Sequence, residues 1–347
     1  MNNIFENRMK TNSKTHVPVW FMRQAGRYHN HYQNIKKNSD FMSMCKTPKL
    51  ACEVTMGPIE DFDFDAAILF SDLLFPLEQM GLGLSYKSGP PTLEKNIDTL
   101  EIIKNLKLKD EAKNFYQFQK EACSLLKKSL PETKTLLGFV GAPFTLYTYA
   151  AEGAHKGNLV SSKKGLYDGR FEAFMQKLIP EVVTEMKIQA EGGADAVCLF
   201  DTAAGELSFA DYDRFIVPKI NEMVSEFKKD YPNKKIIYYS KMTHPHYLEP
   251  LYDSKIDVFG VDWRHDIART QKKLPKDKYI QGNIDPVWLH LPWAELKANL
   301  EDYKKHLIKN DFDFSHHIFG LGHGVIIETP EENVRNTVKW VHENLRY

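Results

Sequence analysis

Short apolar, β-rich runs recur along the chain at 17–22, 66–70, 135–140, 196–200, 236–239, 258–261, 279–280 and 317–319. Between most of them lie long amphipathic, charge-rich stretches at 110–130, 170–190, 212–229 and 293–308. Strands alternating with helical segments predict βαβ units and a parallel sheet. Eight such units predict a closed (β/α)8 barrel, with an open doubly wound sheet as the competing arrangement. A Gly-, Asp- or Arg-containing cluster follows nearly every run: RQAGR, FSD, GAPFT, FDTAAGE, VDWR, QGNIDP and GLGHG. A barrel gathers its chemistry at the C-terminal ends of all its strands, whereas an open sheet concentrates it at one switch point. Loaded residues after almost every run therefore favour the barrel. The segment 81–91, GLGLSYKSGPP, predicts a hairpin or lid after the second strand, because Ser-Gly-Pro-Pro continues neither a helix nor a central strand. No linker or low-complexity break interrupts the pattern, so residues 1–347 are expected to form one catalytic domain.

Composition narrows the function. Apolar residues make up 42% and aromatics 12%, enough for a large core. Lys+Arg and Asp+Glu stand at 46 each, so no global field favours nucleic acid or an anionic membrane. An anionic ligand must instead be held by locally placed charge. Cys45, Cys52, Cys123 and Cys198 show neither CxxC spacing nor a paired pattern, and reduced thiols are expected. The first ten residues carry no long apolar stretch of the secretory type, and no run of about 18 apolar residues exists to span a bilayer. A soluble cytoplasmic protein is the expectation.

Candidate chemistry clusters at the run ends. The stretch 18–28, PVWFMRQAGRY, ends an apolar strand on Arg23 and Arg27, with an Ala-Gly bend between them. Guanidinium forks match carboxylates bidentately and keep their charge, so the arrangement suits a polyanion. A helix start with two solvated arginines would have the same spacing. Asp72, in Phe70-Ser71-Asp72, could stabilise a developing cation at a barrel mouth or simply cap the next helix. In 136–153 the Gly-Ala-Pro break precedes aromatics at helical spacing, which either pack a core or line a pocket for a flat apolar ligand. Asp201 and Thr202 place an acid and a hydroxyl at another strand end, followed by small residues that admit a ligand. His323 sits between Gly322 and Gly324, a better binding position than an apolar helix face.

Histidines at 29 and 31, 244 and 246, and 316 and 317 invite a metal reading. His29-Asn30-His31 lies well past the first strand, and no carboxylate pair or cysteine trio completes a ligand set. The dinucleotide GxGxxG, the P-loop and the Ser nucleophile elbow are missing too. No metal site is expected.

Seven words in order, PVWFMRQAGRY, ILFSDLL, GFVGAPFTLYTYAAEG, LFDTAAGELS, GVDWR, QGNIDP and GLGHGVIIETPEENV, resemble the uroporphyrinogen decarboxylase family over some 320 residues. The resemblance implies a (β/α)8 barrel, usually a homodimer. Such enzymes remove carbon dioxide from the four acetate side chains of uroporphyrinogen III to give coproporphyrinogen III, without metal or organic cofactor. Carried over by motif, the family's substrate loop corresponds to Arg23, Gln24, Ala25, Gly26 and Arg27. Its pyrrole-binding acid is matched by Asp72, its pocket tyrosine by Tyr149, its strand-end hydroxyl by Thr202 and its Gly-flanked histidine by His323. Asp72 and Arg23 are the catalytic candidates, although an unperturbed guanidinium is a poor acid. Two departures stand out. His29-Asn30-His31-Tyr32 replaces the usual Leu-Pro-Glu-Tyr, and Lys36 stands where an arginine is often found, keeping charge but not the fork. Two competing functions have different needs. A zinc methyltransferase of the same superfamily requires late His/Cys ligands, but the final cysteine here is Cys198. A non-catalytic tetrapyrrole carrier would not need Asp72.

Overall fold

Seven parallel strands form the central sheet in the order β1 (Ala66–Ile68), β4 (Thr135–Gly141), β5 (Ala196–Asp201), β6 (Lys235–Ser240), β7 (Val258–Gly260), β8 (Tyr279–Ile284) and β9 (His317–Leu321). The structure is a computed structural model and describes residues 16–86, 90–108, 111–155 and 157–347. Residues 17–22 fill the eighth place between the two sheet edges. On one side Phe319 N donates to Pro18 O at 2.8 Å and Trp20 N to Phe319 O at 3.3 Å; on the other, Asp65 N donates to Val19 O at 2.9 Å. The eight-membered barrel expected from the pattern is the observed fold.

Alternation along the strands separates two layers, because successive side chains point to opposite faces. Ala196, Cys198 and Phe200 of β5 pack inside the barrel with Leu137, Ile237, Tyr239, Trp20 and Met22. Val197 and Leu199 face outward into the layer of helices. Gln281 of β8 fills the interior between two glycines: a Cβ at Gly260 or Gly320 would lie 3.0 or 2.8 Å from its amide.

The outer ring includes α1 (Pro48–Phe62), α2 (Phe75–Gln79), α3 (Gln117–Ser129), α4 (Pro143–Glu152), α5 (Arg170–Glu191), α6 (Val217–Asp230), α7 (Trp293–Lys309) and α8 (Glu331–Asn344). The expected helix at 212–229 begins as a π turn, Tyr212–Ile216, before α6. Pro218 has no N–H to give the carbonyl four residues back, so the ladder widens there. The predicted stretch 110–130 is split between Ala112–Phe115 and α3, with its first residue, Asp110, outside the described residues. Around the expected insertion at 81–91, β2 (Leu84–Ser85) pairs with β3 (Thr92–Leu93) as an antiparallel hairpin; residues 87–89 are also outside the described ones.

Candidate active site

The loop after residue 22 is shaped from below. Gln24 is buried, with its amide Nε2 donating to Ala66 O at 3.0 Å and its Oε1 accepting from Phe21 N at 3.2 Å. Tyr28 Oη donates to Gln24 O at 2.8 Å and closes the bend. Gln24 thus spends its side chain on holding the loop, and the turn lifts Arg23 and Arg27 to the surface of the barrel mouth. Arg23 sits at φ 63°, a left-handed conformation that L-residues adopt only when the surroundings hold them there. Among the described residues neither arginine has a carboxylate partner. A Cβ at Gly26 would lie 2.8 Å from Arg23 O, so the bend needs glycine.

Beside it, the loop after β9, tied to it by Val325 N donating to Met22 O at 2.9 Å, is cut to fit this arginine. A Cβ at Gly324 would lie 2.5 Å from Arg23 Cδ, and one at Gly322 would lie 2.5 Å from Trp263 N. Both glycines that flank His323 are therefore set by contact. The imidazole lies nearly parallel to Tyr239, with ring centroids 6.1 Å apart and planes 12° from parallel. Tyr239 Oη donates to Gly322 O at 2.7 Å and lies 3.2 Å from His323 Nδ1. With the phenol proton committed to Gly322, Nδ1 carries the hydrogen and Nε2 is left with its lone pair. Burial first, then the charges of Arg23 and Lys241, push the imidazole down to about 3, so it is neutral at working pH.

Asp72 lies buried where the chain leaves β1. One carboxylate oxygen accepts from Leu74 N at 2.6 Å, and the other from the Tyr86 hydroxyl on the hairpin. The first bond is an Asx-type turn leading into α2, so the carboxylate performs the local turn. Burial raises its proton affinity, the two hydrogen bonds oppose that rise, and Glu78 adds to it. Tyr149 is half-buried on α4. Its phenol is pushed up by burial and then by the charge of Asp72, with Arg23 opposing. Phe144 and Tyr147 of the same helix go to the core, Tyr147 edge-on to Phe171 at 5.1 Å.

Thr202 is half-buried at the end of β5, and no described contact ties it to Asp72 or Arg23. Its neighbour Asp201 turns away from the mouth into the helix layer. Thr145 Oγ1 and Tyr238 Oη donate to it at 2.9 and 3.1 Å, and burial pushes its carboxyl up to about 6. Four of the six tempting histidines are accounted for locally. His29 is buried 2.7 Å from Asp61, and His31 fills the space that a Cβ at Gly57 would need. His316 lies 2.7 Å from Asp313, and His317 Nε2 donates to Gly282 O at 3.0 Å. Among the described residues one donor set of metal type exists, His16, Asp65 and His342, at the opposite end of the barrel. Its imidazoles stand 3.2 and 3.0 Å from the carboxylate, as hydrogen-bonded neighbours do. Lys36 is exposed at the end of the helix Asn30–Lys36.

Sequence reasoning missed Tyr86, Tyr239 and Lys241, and quoted Asp262 and Arg264 only within the VDWR word. Asp262 is fully buried and accepts from Met242 N at 2.6 Å and from Arg264 Nη1 at 2.9 Å, with the guanidinium lying over Trp263. Only the position of Tyr239 and Lys241 at a strand end could have flagged them.

The family model for uroporphyrinogen decarboxylase matches residues 2–344. The uroporphyrinogen decarboxylase of Carboxydothermus hydrogenoformans is 34% identical over 346 residues, covering 99% of this chain and 97% of that protein. Those of Solibacter usitatus and Geobacter sulfurreducens are 36% and 33% identical, covering 94% and 99% of this chain and 93% and 98% of their own lengths. Among solved structures, a methyltransferase from Methanosarcina mazei superposes with a TM-score of 0.73 at 15% identity, covering 99% of both chains, which speaks to the fold alone. With the words, the barrel and the full-length match in agreement, the chain belongs to the uroporphyrinogen decarboxylase family.

Proposed function

We propose that this chain removes carbon dioxide from the four acetate side chains of uroporphyrinogen III, giving coproporphyrinogen III in tetrapyrrole and haem synthesis, without metal or organic cofactor. The observation that carries the reading is a buried carboxylate, Asp72, just past the C-terminal end of β1, the end of the barrel at which the exposed Arg23 and Arg27 have no carboxylate partner among the described residues. Such a mouth is prepared for a ligand that brings its own carboxylates.

A breaking carbon–carbon bond needs an electron sink, which cofactors usually supply. A reduced pyrrole serves as its own once a ring carbon is protonated, because the ring becomes an electron-poor cation. Electrons from the acetate C–C bond then flow into the ring as carbon dioxide leaves, the exocyclic carbon takes up a proton to become a methyl group, and the ring carbon gives up its own added proton to restore the pyrrole. Asp72, ionised among the pyrrole N–H groups, stabilises the cation where water is scarce. Arg23 and Arg27 hold acetates and propionates and so orient the group to be cleaved. His323, Tyr149 and Thr202 complete the walls. Gln24, Ala25 and Gly26 supply the bend that presents the arginines. Arg23 is the candidate donor of the first proton, its acidity depending on a desolvated pose.

We place the enzyme in the cytoplasm as a homodimer, acting on a small polycarboxylate, with no nucleic-acid partner. Equal numbers of acidic and basic residues support the last point, and none of the described helices is long and apolar enough to cross a membrane. The deciding experiment is an anaerobic assay that follows an eight-carboxylate porphyrinogen to the four-carboxylate product, with enzyme treated with a strong chelator. Turnover is expected to survive; loss of activity restored by stoichiometric zinc would overturn the cofactor-free reading.

A further inference from the structure

One face of α5 carries Glu181, Glu185 and Gln189 at four-residue intervals, a single stripe on a helix, and all three are buried. Glu185 is fully enclosed. Its Oε1 accepts from Gln119 Nε2 at 2.7 Å, and the same amide nitrogen donates to Ser71 Oγ at 3.1 Å. Gln189 Nε2 donates to Gln119 Oε1 at 3.0 Å and to Phe139 O at 2.9 Å, which fixes the orientation of the Gln119 amide. The barrel makes room for this arrangement: a Cβ at Gly138, in the middle of β4, would lie 2.2 Å from Gln189 Oε1. Ser71 is the residue before Asp72. A buried polar chain thus runs from α5 through α3 to the strand end that presents the candidate catalytic carboxylate.

Glu185 Oε2 is enclosed without a hydrogen-bond partner, and no cation is paired with this side chain among the described residues. An ionised carboxylate in that position would be very costly, so the group is held as the neutral acid. The groups that face it are Asp72, Glu181 and Tyr116; Glu78, also near Tyr116, is paired with Lys46 at 2.7 Å. Asp72 in turn faces Tyr86, Cys45, Glu78, Tyr149 and Glu185. A negative charge on Glu185 would compete with the one on Asp72, since close carboxylates do not both ionise easily.

We propose that Glu185 is a positioning residue for the decarboxylation: through Gln119 and Ser71 it fixes the strand end that carries Asp72. This rests on the function proposed above, in which the ionised Asp72 stabilises the pyrrole cation. Glu185 touches no substrate and acts only through its neighbours.

The test compares Glu185→Gln with Glu185→Leu. Glutamine keeps the acceptor for Gln119 without charge, and is expected to turn over within about twofold of the parent. Leucine keeps the volume but removes the acceptor. It is expected to lose on the order of tenfold in kcat with little change in KM, and to shift the acid limb of the pH profile. A packing role predicts the reverse, because a buried leucine of similar size would be tolerated or stabilising. Ser71→Ala breaks the same chain at its other end without disturbing α5, and serves if the leucine variant does not fold. Titration of Asp72, read from the carboxyl carbon shift of labelled, substrate-free enzyme and assigned with Asp72→Asn, measures the coupling without turnover. An inactive parent enzyme would refute the proposed function. An unmoved Asp72 titration in both Glu185→Leu and Ser71→Ala, or a Glu185→Gln variant as damaged as the leucine one, would overturn this inference.

Discussion

Replacing Tyr86 by Phe isolates the electrostatics of the proposed site with little disturbance to packing. The ring stands 4.7 Å from Phe41, a contact that phenylalanine keeps, so the change removes one hydroxyl. That hydroxyl donates to one oxygen of Asp72, while Leu74 N serves the other. Burial pushes the Asp72 carboxyl up, and the Tyr86 hydrogen bond is the largest influence pulling it back. Hydrogen bonds to a charged group contribute about 1.5–3 kcal/mol, and 1.36 kcal/mol corresponds to one pH unit, so the loss amounts to about 1–2 units. The sign follows from which form is stabilised. Tyr86 favours the anion, its removal favours the acid, and the anion is the active form. The acid limb of kcat/KM should therefore move to higher pH by about 1–2 units while the plateau above it changes little. The measurement is initial rate against pH for parent and variant with the same reduced substrate, whose own carboxylates titrate identically in both. A limb that stays in place while the plateau falls would refute the reasoning, because Tyr86 would then be acting on the substrate rather than on Asp72.

Asp72→Asn retains the shape without the charge, and should cost on the order of 10²–10³ in kcat, roughly 3–4 kcal/mol, with KM nearly unchanged; steady-state kinetics showing the opposite split would reduce Asp72 to a binding role. Gly324→Ala puts a methyl group 2.5 Å from Arg23 Cδ, so the arginine must swing aside. KM should rise severalfold while thermal stability stays within a few degrees of the parent, as kinetics and a melting curve would show. Asp201 is pushed up to about 6 by burial, about 2 units above its ordinary value, so the native state holds a proton that the unfolded chain has released. The associated stability, about 3 kcal/mol, is present below pH ~4 and lost as pH rises through 6. Asp201→Asn, permanently neutral, should be the more stable protein at pH 8 and lose that advantage at pH 4 in denaturant titrations.

The barrel was legible because each strand is a short apolar run and most connections carry a charged amphipathic stretch, a contrast that survives in one dimension. Boundaries were less so. Residues 69 and 70 continue the apolar run of β1, yet Phe70 N bonds to Thr55 Oγ1 of α1 at 2.9 Å, and the strand ends at Ile68. Asp72 was ambiguous between turn and site for a physical reason, since its two oxygens do one task each. The arginine loop stood out because its word is unusual, but the use of Gln24 as an internal brace could not be read from the word. Asp201 and Thr202, adjacent in the motif, part company because Asp201, the last residue of β5, is held in the helix layer by Thr145 and Tyr238, whereas Thr202 already belongs to the turn beyond the strand. Tyr86 and Tyr239 were invisible for a different reason: a tyrosine at a run end gains meaning from its partner, and Tyr239 meets His323 84 residues later. The same holds for Glu185, which reads as one more charge in an amphipathic helix until Gln119, 66 residues away, is laid against it. The glycines of GLGHG make the point most directly. The motif marks a tight loop, yet the atoms that demand glycine there are Arg23 Cδ and Trp263 N, so the loop is specified by the arginine and the tryptophan that folding brings to it.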